Sequence, residues 1–189
     1  MQSVHRSVLV PFSAARMFAL VDDIERYPDF LPWCGGAQVF ETHAEGKTAR
    51  VDIDYHGVRA HFTTDNVNAP PTSIVVTLKD GPFRHLHGEW RFTALAADAC
   101  KVEFVLAYEF TTHLLERVVG PVFGHIANTF IDAFVRRAEW QTARAAAAGG
   151  PGAPTASAPA PVPPPGAGAG AGHGTGTVPG TGTGSGGTP

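Results

Sequence analysis

The 189-residue chain is poor in several things that whole classes of protein need. Its two cysteines, Cys34 and Cys100, are too few for a disulfide framework. They read as free thiols in a reducing, cytoplasmic setting. No run approaches the roughly 18 consecutive apolar residues expected of a membrane span. Met1 to Arg6 leads straight into an alternating segment, so neither a secretory signal nor an Arg-rich transit segment is expected. Basic residues are not in excess either: 14 Lys and Arg stand against 17 Asp and Glu, a net charge of −3. That balance weighs against a partner such as DNA held by a basic surface. Charge is almost missing from the end of the chain. From Gly149 to Pro189 the one ionisable side chain is His173, and 23 of 41 positions (14 Gly, 9 Pro) are Gly or Pro. Such a composition buries too little apolar surface to offset the entropy of ordering it. The chain therefore divides into one domain over residues 1–144 and a disordered Gly/Pro/Ala/Thr-rich tail over 145–189.

What is present is patterned. Ser3 to Val10 is β-branched and ends at Pro11. Ser13 is a good N-cap for the helix formers Ala14 to Leu20. Pro28 and Pro32 bracket a second short helix, Ile24 to Leu31. After a break at Gly35-Gly36 the period changes to two. Val39 to His43 and Thr48 to His56 flank a Glu45-Gly46 turn, as in a hairpin. Val58, Ala60 and Phe62 alternate with polar neighbours, as do Ile74, Val76 and Leu78. The same holds for Leu86, Gly88, Trp90 and Phe92, and again for Val102, Phe104, Leu106, Tyr108 and Phe110. This alternation predicts an antiparallel sheet with one buried face. From Leu114 onward Leu115, Val119, Phe123, Ile126, Phe130 and Phe134 recur at three or four residues, the stripe of one long helix. Gly120-Pro121 predicts a kink or restart near its beginning, and Asp132 with Arg136 is spaced for an i,i+4 pair.

A curved sheet of six to seven strands crossed by one helix leaves space in its concavity. The inward set is Tyr55, Phe62, Leu78, Trp90, Phe92, Phe104, Leu106, Tyr108, Phe123, Ile126 and Phe130, almost free of charge. A tunnel lined this way suits an apolar ligand, with Tyr hydroxyls as its polar handles. Periodicity fits a closed, packed core equally well. Asp52, Asp54, Glu89, Glu103 and Glu109 fall on the opposite face, so the inward set holds no acid/base pair. His85 and His87 share a strand face, yet no Cys or acidic residue completes a ligand pattern, and no metal site is expected. Arg136, Arg137 and Arg144 near the helix end suit the macrodipole of a solvated C-terminus.

Several words of sequence carry a resemblance. They are Val10-Pro11-Phe12-Ser13-Ala14, Met17-Phe18-Ala19-Leu20-Val21, and Ile24-Glu25-Arg26-Tyr27-Pro28 running into Phe30-Leu31-Pro32-Trp33-Cys34. Phe62-Thr63-Thr64, Asp80-Gly81-Pro82-Phe83, Trp90-Arg91-Phe92-Thr93, Tyr108-Glu109-Phe110 and Ala133-Phe134-Val135-Arg136-Arg137-Ala138 follow in order. Over roughly Val4 to Trp140 the chain resembles the bacterial ribosome-association toxin family. That family shares its domain with the coenzyme Q-binding proteins of the START-like, polyketide cyclase/dehydrase superfamily.

The resemblance implies an α+β helix-grip fold with two short helices after the first strand and a tunnel between sheet and long helix. It also implies a non-enzymatic protein with no required cofactor that binds ubiquinone or a related isoprenoid lipid in support of respiration. A second implied activity is binding of the large ribosomal subunit to block subunit joining. The superfamily's cyclases make catalysis a third, weaker expectation, and a lipid ligand leaves room for peripheral membrane contact. Phe30, Leu31, Trp33 and Phe83, held in Pro- and Gly-containing connections, are expected at the tunnel mouth.

Overall fold

The computed structural model describes residues 1–148. Most of the tail inferred from composition, 149–189, lies outside the described residues, whereas 145–148 are helical and continue the last element of the domain. The chain begins with β1 (Gln2–Val10), α1 (Ala14–Asp22) and a short 3₁₀ helix (Ile24–Asp29). Six strands follow: β2 (Cys34–His43), β3 (Gly46–Tyr55), β4 (Val58–Ala69), β5 (Ser73–Asp80), β6 (Phe83–Ala96) and β7 (Ala99–Phe110). The long helix α2 (His113–Ala148) completes the order. All seven strands form one antiparallel sheet in the order β1-β7-β6-β5-β4-β3-β2. The first strand pairs with the last, so α1 and the 3₁₀ helix carry the chain from one edge of the sheet to the other. This is the expected helix-grip α+β fold of the START type.

Local chemistry explains the elements. Ser13 is extended, and its Oγ accepts from the Arg16 backbone N–H at 3.3 Å, capping α1. Thr112 does the same for α2 through the Leu115 N–H at 3.2 Å. Gly81 takes a positive φ of 143°, and a Cβ there would lie 2.8 Å from Phe62 Cβ. Glycine at that turn is what lets Phe83 fold back against Phe62, their ring centroids 6.0 Å apart.

Three expectations about elements change. Gly35-Gly36 is not a break: both glycines lie inside β2, at a shift of register against β3. A Cβ at either position would approach the side chain of Asp54 or Asp52 to 3.0 Å, so bare glycines let the two strands close there. The second short helix stops at Asp29, two residues earlier than expected, as a 3₁₀ helix containing Pro28. The long helix passes through Gly120-Pro121 without restarting. Val119 and Phe123, on either side, are buried and hold that turn against the domain.

The concave face of the sheet and the inner faces of α1 and α2 form the core. Met17, Cys100, Phe134 and Ala138 are fully buried. Although α2 contains an 18-residue window of mean hydropathy 1.4, long and apolar enough to cross a membrane, it packs on β1, β4, β7 and α1 as a core helix. Its Asp132 meets Arg6 of β1 at 3.5 Å rather than the expected Arg136, because the turn carrying Asp132 lies over the edge strand. Arg137 reaches Asp29 at 3.6 Å and tethers α2 to the 3₁₀ helix.

Candidate functional site

Between α2 and the sheet lies a cavity of about 80 Å³. That is well below the roughly 300–1,000 Å³ of small-molecule sites, so a ligand of that size enters only if the wall moves apart. Its wall is supplied by nearly every layer of the fold. The strands contribute Val51 and Ile53 (β3), Phe62, Thr64 and Asn66 (β4), Val76 (β5), Leu86, Gly88 and Trp90 (β6), and Phe104 and Leu106 (β7). Phe123, Ile126, Ala127 and Phe130 close it from α2, and Ile24, Tyr27 and Trp33 from the segment after α1. Gly88 keeps space open, since a Cβ there would come within 3.2 Å of Leu106 Cδ1. A smaller cavity of about 30 Å³, bordered also by Asp22, shares Ile24, Tyr27, Asn66, Val76 and Trp90 with the first.

Of the inward set read from the sequence, Phe62, Trp90, Phe104, Leu106, Phe123, Ile126 and Phe130 face this cavity. Four others do not. Phe92 is drawn under α1, edge-on to Phe18 with ring centroids 5.7 Å apart. Tyr108 packs among Phe83, Phe110 and Phe123, and its hydroxyl donates to Gln2 Oε1 at 2.7 Å. Tyr55 stacks on His125 of α2, centroids 6.1 Å apart, and Leu78 is partly buried beyond the cavity wall. The expected tunnel mouth is also redistributed. Trp33 lines the cavity, its ring against Phe130 at 5.5 Å. Leu31 and Phe83 are buried in the core, and Phe30 packs on Phe134 at 5.2 Å with the Arg137 guanidinium over its ring. The Pro- and Gly-containing connections turn inward and seal the core ends, leaving Trp33 alone of the four at the cavity.

The polar inventory differs from expectation more than the apolar one. Neither Tyr55 nor Tyr108 serves the cavity; its polar groups are Tyr27, Thr64, Asn66 and the indoles of Trp33 and Trp90. The Tyr27 hydroxyl donates to the Val21 carbonyl at 2.6 Å. Burial, reinforced by the negative charge of nearby Asp22, holds that phenol far above its ordinary range, so it stays protonated. Thr64 Oγ1 donates to Asn66 Oδ1 at 3.2 Å, and both residues are only 4% exposed. The period of β4 carries this signal in the sequence: stepping by two from Phe62 reaches Thr64 and Asn66. The smaller residues missed at the wall, Val51, Ile53, Val76 and Leu86, follow from the same alternation.

No carboxylate, imidazole, thiol or amine lines the cavity among the described residues. The acids read as outward-facing form ion pairs on the other side of the sheet: Arg50–Asp52 at 2.7 Å, Arg59–Asp54 at 3.1 Å, Arg91–Glu89 at 2.6 Å, Lys101–Glu103 at 2.8 Å and Arg84–Glu109 at 3.3 Å. Cys34 and Cys100 are buried free thiols, and burial pushes the Cys34 thiol up to about 11. Among the described residues no three His, Cys, Asp or Glu side chains gather into a metal-binding group.

An apolar cavity with no carboxylate, imidazole, thiol or amine among its described lining thus lies beneath the long helix of a START-type helix-grip fold. Residues 10–135 match the family described as polyketide cyclase / dehydrase and lipid transport, and the chain belongs to that family. It is 45% identical over 139 residues to the ribosome association toxin RatA of Vibrio cholerae, covering 74% of this chain and 96% of the relative. It is 43% identical over 139 residues to the persistence and stress-resistance toxin PasT of Escherichia coli, covering 74% and 88%. A more distant relative is the mitochondrial coenzyme Q-binding protein COQ10 homolog B of Xenopus laevis, 24% identical over 136 residues, with 70% of this chain and 56% of that one covered. Among solved structures, a START superfamily protein from Mycobacterium smegmatis superposes with a TM-score of 0.61 at 22% identity, covering 74% of this chain and 98% of that one. The ZhuI aromatase/cyclase of Streptomyces sp. R1128 does so at 0.64, also at 22% identity, covering 79% and 98%.

Proposed function

We propose that this protein is a non-enzymatic carrier or sensor that holds an isoprenoid quinone such as ubiquinone, or a similar apolar lipid, in the cavity under α2. The observation that carries this reading is the wall itself: aromatic and aliphatic side chains from five strands and α2, and no ionisable group able to exchange a proton near neutral pH. The relative named as a coenzyme Q-binding protein supports the ligand class. Cyclase-type catalysis would need a general acid or base, and Tyr27, its hydroxyl already engaged by Val21, is a poor one. Purified protein is expected to yield quinone on organic extraction. After delipidation it is expected to bind decylubiquinone with quenching of Trp33 and Trp90 fluorescence. Protein that arrives empty and shows no saturable quenching would exclude the reading.

At the level of cellular role a second reading is favoured by a separate observation, the 43–45% identity over about nine-tenths of two relatives named as toxins. In this reading the protein acts in the cytoplasm, binding the large ribosomal subunit and preventing subunit joining. The end of α2 offers a suitable surface: Trp140, half exposed, has the guanidinium groups of Arg137 and Arg144 at 4.7 and 5.1 Å from its ring centroid. Planar guanidinium and indole groups together suit stacking and phosphate contacts on RNA. Expression should deplete joined ribosomes in a sucrose gradient, and R144E should weaken that depletion; an unchanged profile with the native sequence would exclude this role.

A further inference from the structure

We infer that Asn66, oriented by Thr64, is the anchor that reads a hydrogen-bond-accepting oxygen on the ligand, so that the cavity takes a carbonyl-bearing head group and not a bare hydrocarbon. The inference rests on the proposed apolar-ligand function and specifies it. Asn66 lies in the buried face of β4, where an aliphatic residue would pack as well as at any neighbouring position. A buried amide without partners costs free energy, so one in such a place has a reason to be there. Half of its capacity is met within the protein: Thr64 Oγ1 donates to Asn66 Oδ1 at 3.2 Å. That bond fixes the amide so that its two N–H donors point away from Thr64. Nδ2 has no hydrogen-bond partner among the described residues, yet it is not among the side-chain atoms sealed without a partner, because it opens into the space that both cavities share.

The balance of donors and acceptors around that junction gives the chemistry of the occupant. Trp90 borders both cavities, and its indole N–H is a second donor with no partner among the described residues. The Tyr27 and Thr64 hydroxyls have given their protons to the Val21 carbonyl and Asn66 Oδ1, and Asp22 Oδ1 at the smaller cavity accepts from Asn68 Nδ2 and Lys47 Nζ. Asn66 Nδ2 and the Trp90 indole are thus two donors at the wall with no protein partner among the described residues. A ligand oxygen with lone pairs satisfies them; an apolar tail does not. The position is also built from the backbone side, since a Cβ at Gly46 of β3 would collide with the Asn66 carbonyl oxygen. The glycine lets β3 lie close against β4 at this point and holds the Asn66 backbone in place. A ligand engaged here sits with its polar end at the junction of the two cavities, between Asn66 and Trp90, and its apolar remainder along Phe104, Phe123 and Phe130.

The test compares decylubiquinone with dodecylbenzene, which has a similar ring and tail but no oxygen, by calorimetric titration of delipidated protein. The native protein should prefer the quinone by at least about tenfold, the size expected when a buried donor is either satisfied or orphaned. In Asn66→Leu the preference should vanish, with dodecylbenzene binding unchanged or tighter. The infrared carbonyl stretch of bound decylubiquinone should be lowered in the native protein and return towards its hydrocarbon-solvent value in the variant. Thr64→Val, which keeps the amide and frees its orientation, should reduce the preference without abolishing it, and it carries the test if Asn66→Leu does not fold. Equal binding of the two probes by the native protein, or an unchanged preference in the variants, would overturn the anchor while leaving an apolar-ligand site. Binding of neither probe would overturn the underlying function as well.

Discussion

At the scale of single residues, Asp65 shows how far polar contacts outside the cavity matter. It faces away from the ligand space, where the Thr48 hydroxyl donates to it and Lys79 Nζ lies 3.4 Å from its Oδ1. The Thr48 hydrogen bond, aided by Lys79, holds this carboxyl below its ordinary range. A native pKa below the unfolded one means that the stabilisation is present above the unfolded value near 3.9 and is lost as pH falls through the native value. Thr48→Val should therefore lower the urea midpoint at pH 7 and lose most of that deficit once the pH falls through the lowered native pKa of Asp65. Because Asp65 is well exposed, the effect at pH 7 should stay under about 1 kcal/mol; a pH-independent deficit would assign it to packing instead. The same strand shows what the sequence made legible. The alternation at Phe62 placed an inner face correctly, but the polar letters two and four residues on interrupt an apolar pattern and so do not read as cavity wall. The neighbouring step on β6 erred in the other direction. Phe92 has the right period and points inward, yet α1 covers that end of the sheet, and no local pattern reports where a helix distant in sequence will land.

At the scale of elements, α2 is both lid and keel. Its stripe was legible because 3.6-residue spacing survives in Phe123, Ile126, Phe130 and Phe134. Its passage through Pro121 was not, since one lost donor can be outweighed by packing of the flanking turns. Phe134 is fully buried, with ring centroids of Tyr27, Phe30, Trp90 and Phe130 all 5.2–5.4 Å away. Phe134→Ala should cost about 3–5 kcal/mol in chemical denaturation, because four aromatic neighbours held by three different elements cannot all collapse into the void. By contrast, Asp132→Ala breaks one exposed pair with Arg6 and should fall within about 0.5 kcal/mol of the native protein. If the two variants destabilised equally, the aromatic cluster would not be what fastens α2 to the sheet.

At the scale of the whole molecule, the question is where the autonomous unit ends. Composition put the boundary at 144, yet α2 continues to Ala148. The family match ends at 135, earlier than either. Physical contacts discriminate among these limits. Ala138 is fully buried, and its carbonyl accepts from Arg16 Nη2 at 2.7 Å, so the turn beyond 135 belongs to the packing of α1 on α2. Arg137 adds the link to Asp29 and covers the Phe30 ring. From Ala143 onward the balance changes: Ala143, Arg144 and Ala145 to Ala148 are all exposed, and nothing buried depends on them. A chain ending at Ala148 should therefore melt at the temperature of the full-length protein and bind decylubiquinone with the same affinity. A chain ending at Val135 should lose several degrees or fail to fold, since it gives up a buried residue, a charge-assisted hydrogen bond and an ion pair together. Equal melting of all three chains would place the domain boundary at the family limit; a loss already at Ala148 would mean that residues 149–189 contribute to the stability of the fold.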